Sequence, residues 1–142
     1  MSTLALAYAG KPFSAVSADP AANVEATITI PAGGRGWLVL SAHLTVAQGA
    51  TQTPLPSLQV KDAAGNVIGL YPGASAATSA STTSTFDWYP KATLTAGAGA
   101  LANAAPIPEG LVLKPGWTIG TSTAGKGANT DLSALAIHVV KF

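Results

Sequence analysis

The chain has 142 residues, 48% of them hydrophobic and only 9% charged, with seven Lys/Arg against six Asp/Glu. So few and scattered charges exclude the basic stripe of a nucleic-acid reader and the polybasic segment of a protein lying on an anionic membrane. The absence of cysteine removes disulfides and thiolate chemistry, and the longest apolar run, 37–47, is interrupted by Ser41, His43 and Thr45, far short of the about 20 residues of a spanning helix.

Taken in chain order, hydrophobic residues recur with a period of two. Leu4, Leu6 and Tyr8 alternate with small residues, which predicts a strand able to pair at a sheet edge with another chain. These first residues have neither the basic start nor the long apolar stretch of a secretory leader. Val24, Ala26, Ile28 and Ile30 alternate with Glu25, Thr27 and Thr29, a half-buried strand that stops at Pro31. Ala32-Gly-Gly-Arg-Gly36 has the glycines of a phosphate loop, but a strand pattern follows it and the Lys-Ser/Thr of such a loop is missing, so it is expected to be a corner.

Next comes a long strand. Leu38, Leu40, Ala42, Leu44 and Val46 fall on one face, and Trp37, Val39, Ser41, His43 and Thr45 on the other, which puts His43 on the face of Trp37. Shorter strands are predicted at 57–61, 67–71, 84–89, 111–113 and 117–121. The first two flank Asp62-Ala-Ala-Gly-Asn66, a tight hairpin with Asp62 as its cap. Segment 73–83 has no apolar stripe and is expected to be a long loop; 94–105 is expected to be a short helical turn or a second loop. Asp131 marks a turn before the last strand, in which Leu135, Ile137 and Val139 oppose Ala134, Ala136, His138 and Val140. Eight or nine antiparallel strands with turn signals between them predict an all-β sandwich of jelly-roll type. No linker divides the sequence, so 1–142 is expected to be one domain.

Catalytic patterns are weak. Nucleophilic catalysis needs a base and a group to orient it, and only His43 and His138 can be the base. Gly73-Ala-Ser75-Ala-Ala77 resembles a nucleophile elbow, but its second glycine is alanine and no strand–turn–helix surrounds it. The six acids, Asp19, Glu25, Asp62, Asp87, Glu109 and Asp131, are isolated in sequence, so a catalytic pair would have to be assembled by folding. His43 and His138 would approach one zinc ion if their strands were neighbours, but no third ligand is evident. The expectation is a protein without enzyme activity, cofactor or metal.

The aromatics carry more information. Trp37 and Trp117 each open a strand after a Pro/Gly corner, and Trp88-Tyr89 closes one before Pro90. Such residues plug the ends of a sandwich core or anchor a subunit interface; exposed, they stack on sugar rings. Trp37, His43, Trp88, Tyr89 and Trp117 are thus the candidate interface or glycan contacts. Twenty-nine alanines with 27 Ser and Thr make a surface poorer in charge than the quarter-charged composition of typical soluble domains. Such a surface suits cover by other copies or by a partner.

Three strings carry a resemblance. Ile28-Thr-Ile-Pro-Ala-Gly-Gly-Arg-Gly-Trp-Leu-Val-Leu40, Leu58-Gln-Val-Lys-Asp-Ala-Ala-Gly-Asn-Val-Ile68 and Pro108-Glu-Gly-Leu-Val-Leu-Lys-Pro-Gly-Trp-Thr-Ile119 resemble the corners and hairpins of small β-sandwich virion proteins of tailed bacteriophages. The likeness runs over about residues 24–140 and brings no catalytic residues with it. It implies a structural virion protein, foremost a capsid decoration (cement) protein made in the host cytoplasm and carried on the head surface. Its partners would be the major capsid protein and copies of itself, a trimer matching threefold positions on the shell, with no nucleic acid or membrane. The alternative it leaves is a tail-fibre, receptor-binding or lectin-like sandwich that takes a glycan.

Overall fold

The computed structural model describes residues 11–96 and 101–141. The strand expected from Leu4, Leu6 and Tyr8 lies outside them. The described residues form eleven strands and no helix, arranged as two sheets of seven and four strands. The larger sheet runs β1 (Phe13–Val16), β11 (Ala136–Lys141), β3 (Trp37–Ala47), β6 (Thr83–Pro90), β7 (Ala102–Ile107), with β8 (Val112–Leu113) and β10 (Asp131–Leu132) pairing the two ends of β3. The smaller runs β2 (Thr27–Thr29), β9 (Thr118–Ala124), β4 (Leu55–Lys61), β5 (Val67–Pro72).

Alternation explains how the sheets meet. Leu58, Val60, Ile28 and Ile119 from the smaller sheet share one cluster with Leu44, Val46, Phe86, Trp88, Ile137 and Val139 from the larger. Each fully buried large side chain contributes roughly 1.5–3 kcal/mol of transfer free energy. The result is a β-sandwich, with more strands than the expected eight or nine. It also departs from an all-antiparallel jelly roll at one place: β7 runs parallel to β6. Part of the 94–105 segment expected as a helical turn or loop is therefore a strand, from Ala102 on.

A bulge corrects the reading of the longest strand. Ser41 pairs with His138 and Val39 with Val139, which leaves Leu40 as an extra residue on β3. One extra residue reverses the alternation beyond it. Trp37 and Val39 therefore turn inward with Ala42, Leu44 and Val46, while Leu38, Leu40 and Val140 form a separate small cluster. Trp37 and His43, expected on one face, lie on opposite faces. Phe13 of β1 meets the Trp37 ring edge-on, centroids 5.3 Å apart, in a favourable quadrupole geometry.

The hairpin forms as expected. Asp62 Oδ1 accepts the amides of Ala64 and Asn66, Asn66 Nδ2 donates to Oδ2, and Gly65 sits at φ +88°. These donations, led by the Asn66 side chain, hold the Asp62 carboxyl below its ordinary pKa. The loop between β5 and β6 is tied down at its middle and at its start. Gln48 Nε2 donates to Thr78 Oγ1, which donates on to the Pro54 carbonyl. At its start Ala74 is buried and Gly73 is packed against Phe86 and Trp88.

Candidate functional site

The sequence candidates separate once the faces are known. Trp37 and Trp88 are core residues, 7% and 0% exposed, and Trp88 Nε1 donates to the Tyr71 carbonyl at 3.0 Å. Trp117 is half-buried, packs on the core and has the Lys114 ammonium 5.6 Å from its ring centroid. Trp37 and Trp88 thus sit in the core, whereas Trp117 is partly buried where β9 begins. Tyr89 is different. At 43% exposure it is the sole aromatic among the exposed large hydrophobic residues described.

The outer face of the larger sheet collects most of the remaining chemistry. Alternation along β3 and β6 points Ser41 and His43 outward beside Tyr89 and Asp87. His43 and Asp87 are directly paired across the strands, with Nδ1 2.6 Å from Oδ1, and both side chains are about half exposed (50% and 48%). One strand further along, Ser14 of β1 and His138 of β11 are also cross-strand partners, their Oγ and Nδ1 3.2 Å apart. The two histidines thus stand on adjacent strands of one face, as a shared metal would need. Yet no group of three His, Cys, Asp or Glu able to hold a metal occurs among the described residues.

Beside the His43–Asp87 pair, over the outer face of β6 and β7, lies an open trough of about 380 Å³ lined by Ser41, Asp87, Tyr89, Thr95, Ala102 and Ala104, with Asn103 beneath. The far rim is closed by hydrogen bonds: Thr95 N donates to the Ala104 carbonyl, and Ala104 N donates to Thr95 Oγ1.

The other acids are engaged elsewhere. Glu25 lies beside the smaller sheet, where its carboxylate accepts from Thr121, Thr123 and Lys126. Burial pushes its pKa up, but the donations from Thr121, Lys126 and Thr123 outweigh burial and hold it below the ordinary value. Glu109 faces Lys91 at 3.7 Å, and Asp19 and Asp131 line one depression with Thr45 and Ser133. Ser75 donates its hydroxyl to the Ala96 carbonyl, so it serves the loop and not a histidine. In 32–36, Gly34 N donates to the Pro31 carbonyl, and the segment is the turn that feeds β3.

Sequence reasoning named Tyr89 and His43 as candidates but not Asp87 as the partner of His43. The strand 84–89 was legible, but which strand it pairs with, and in what register, is set by tertiary packing.

No family model matches the chain, and no curated protein matches it. Among solved structures it is similar to a chain of the infectious bursal disease virus Gx strain structure, with 13% identity and a TM-score of 0.38 over 94% of this chain and 34% of that one. The chain thus spans about a third of that protein's length, and a likeness at this score assigns neither family nor function.

Proposed function

We propose that the chain is a structural protein of a virion, namely a capsid decoration protein that sits on the outer face of a head. It holds there through contacts with the major capsid protein and with its own copies, in a small ring such as a trimer. The observation that carries this reading is the apolar surface left at the edges of the sandwich. Val67, Ile68 and Leu70 on edge strand β5 are 52%, 49% and 52% exposed, and Val16 on edge strand β1 is 60% exposed. Among the described residues β5 and β1 end their sheets; exposed apolar groups on such edges favour pairing with another chain, and the low charge of the sequence offers little repulsion against it.

Repetition supplies the strength in such a role. Many weak equivalent contacts on a shell sum through avidity, so no single interface need be large. The corner strings that resemble phage β-sandwich virion proteins point the same way.

Copy number in the source particle tests the reading, by quantitative mass spectrometry against the major shell protein. A fixed ratio at hundreds of copies is expected. A few to a few tens of copies would move the protein to the tail, and absence from every particle would overturn the virion reading.

A further inference from the structure

We propose that the trough over β6 and β7 is a binding subsite for the pyranose ring of a neutral glycan, with Tyr89 as its stacking surface and Asp87 as its hydroxyl acceptor. This inference stands apart from the virion reading, since it rests on the chemistry of one face. The argument begins with the shape. About 380 Å³ falls within the roughly 300–1,000 Å³ of small-ligand sites. Ala102 and Ala104, the outward residues of β7 opposite Thr85 and Asp87, give it small walls that let a ring approach the backbone.

Its chemistry then narrows the ligand. Tyr89 is the exposed aromatic of the described surface, and a tyrosine beside polar groups is suited to a ligand with one apolar face and a polar rim. A sugar ring is such a ligand. Asp87 is already oriented: His43 Nδ1 is 2.6 Å from Oδ1, and a carboxylate has acceptor capacity for further donors, as the hydroxyls of a sugar provide. Ser41 and Thr95 add hydroxyls at the rim.

Competing ligand classes fit less well. Acidic sugars and phosphates would find no Lys, Arg or His among the lining residues and would meet the Asp87 carboxyl instead. A peptide adding as a strand to β7 would need the main chain of Ala104, but Thr95 occupies both its carbonyl and its amide.

The test uses the full chain and three probes, the methyl β-glycosides of glucose, galactose and N-acetylglucosamine, followed through amide shifts in NMR titrations. At least one probe is expected to give saturable shifts at Asp87, Tyr89 and Ala104, with a dissociation constant on the order of 1 mM. Replacing Tyr89→Ala should weaken it roughly tenfold, the loss expected for one stacked aromatic contact. The Tyr89→Phe variant, which keeps the ring, should retain it, and Asp87→Asn should weaken it. The Gln59→Ala variant, altered on the opposite sheet, should bind as the parent does. Amide spectra of the variants establish that each is folded. No saturable shift from any probe up to about 50 mM, unchanged binding by Tyr89→Ala, or shifts that map to the smaller sheet would each overturn the proposal.

Discussion

Glu25 and Lys126 meet at 2.9 Å, and the same carboxylate accepts the Thr123 amide at 2.7 Å and the Thr121 hydroxyl at 2.6 Å. The cluster joins the approach to β2 to the far end of β9. Thr121 Oγ1 also accepts the Ala26 amide, so one buried hydroxyl serves both segments. Sequence separation is large, Glu25 and Thr121 standing 96 positions apart, so this contact forms only when the sheet forms.

This arrangement predicts a specific acid sensitivity. The folded pKa of Glu25 lies below its ordinary value of 4.5, so the contribution is fully present above that value. It is lost as pH falls through the lower folded value. Glu25→Gln should cost about 2 kcal/mol at neutral pH, the size of hydrogen bonds to a charged group. The difference between parent and variant should shrink as pH is lowered below the ordinary value of 4.5. Urea unfolding at several pH values measures both, and a pH-independent difference would show that the ionised carboxylate is not the source.

The bulge at Leu40 gives a second prediction, about faces. An unbroken alternation would put Trp37 and His43 together, whereas the structure buries one and exposes the other. Trp37→Ala should therefore cost about 3–5 kcal/mol through cavity formation. His43→Ala should stay within about 1 kcal/mol, since its contact with Asp87 is half exposed. Similar losses in chemical denaturation would place both residues in the core and contradict the register.

These cases show what the sequence made legible. Strands whose inward positions carry large apolar residues were readable, as for Leu58 and Val60 or Ile137 and Val139. The Asp62 hairpin was readable because its turn residues act locally. β7 was not, because its inward positions are Asn103, Ala105 and Ile107, so only one large side chain marks the period. The bulge was hidden for the opposite reason: Trp37, Leu38, Val39 and Leu40 are all apolar, and either face satisfies the pattern. Of the candidate site, Tyr89 was nameable in advance, but its exposure and its Asp87 neighbour depend on which residues of β6 turn inward.

Backbone approach supplies the third prediction. A Cβ added at Gly73 would stand 2.7 Å from a Phe86 ring carbon and 2.9 Å from the Pro56 carbonyl. Two core aromatics and a strand backbone would have to move. Gly73→Ala should therefore destabilise by about 1–3 kcal/mol, as overpacking does. Gly33→Ala has nothing within 4 Å of the new atom and should be near neutral, within about 0.5 kcal/mol. Thermal unfolding of the two variants beside the parent checks the contrast, and equal midpoints would mean that the loop does not pack on Phe86.

Edge strand β5 supplies the last prediction, which bears on assembly. Its sequence carries no charge, and its one proline, Pro72, stands at its very end, whereas natural edges that must stay unpaired are usually guarded by lysine or proline along the strand. Leu70 pairs with Gln59 and so projects to the outer face, where a lysine would remain solvated. Leu70→Lys should thus leave folding stability within about 0.5 kcal/mol and weaken self-association, because a second strand brought alongside would bury the charge. Sedimentation of the parent should show a small oligomer at about 100 µM, and the variant should move toward the monomer by at least about tenfold in dissociation constant. A monomeric parent would remove the ring from the proposed function, and an unchanged oligomer in the variant would place the seam elsewhere, with Val16 on β1 as the next edge to charge.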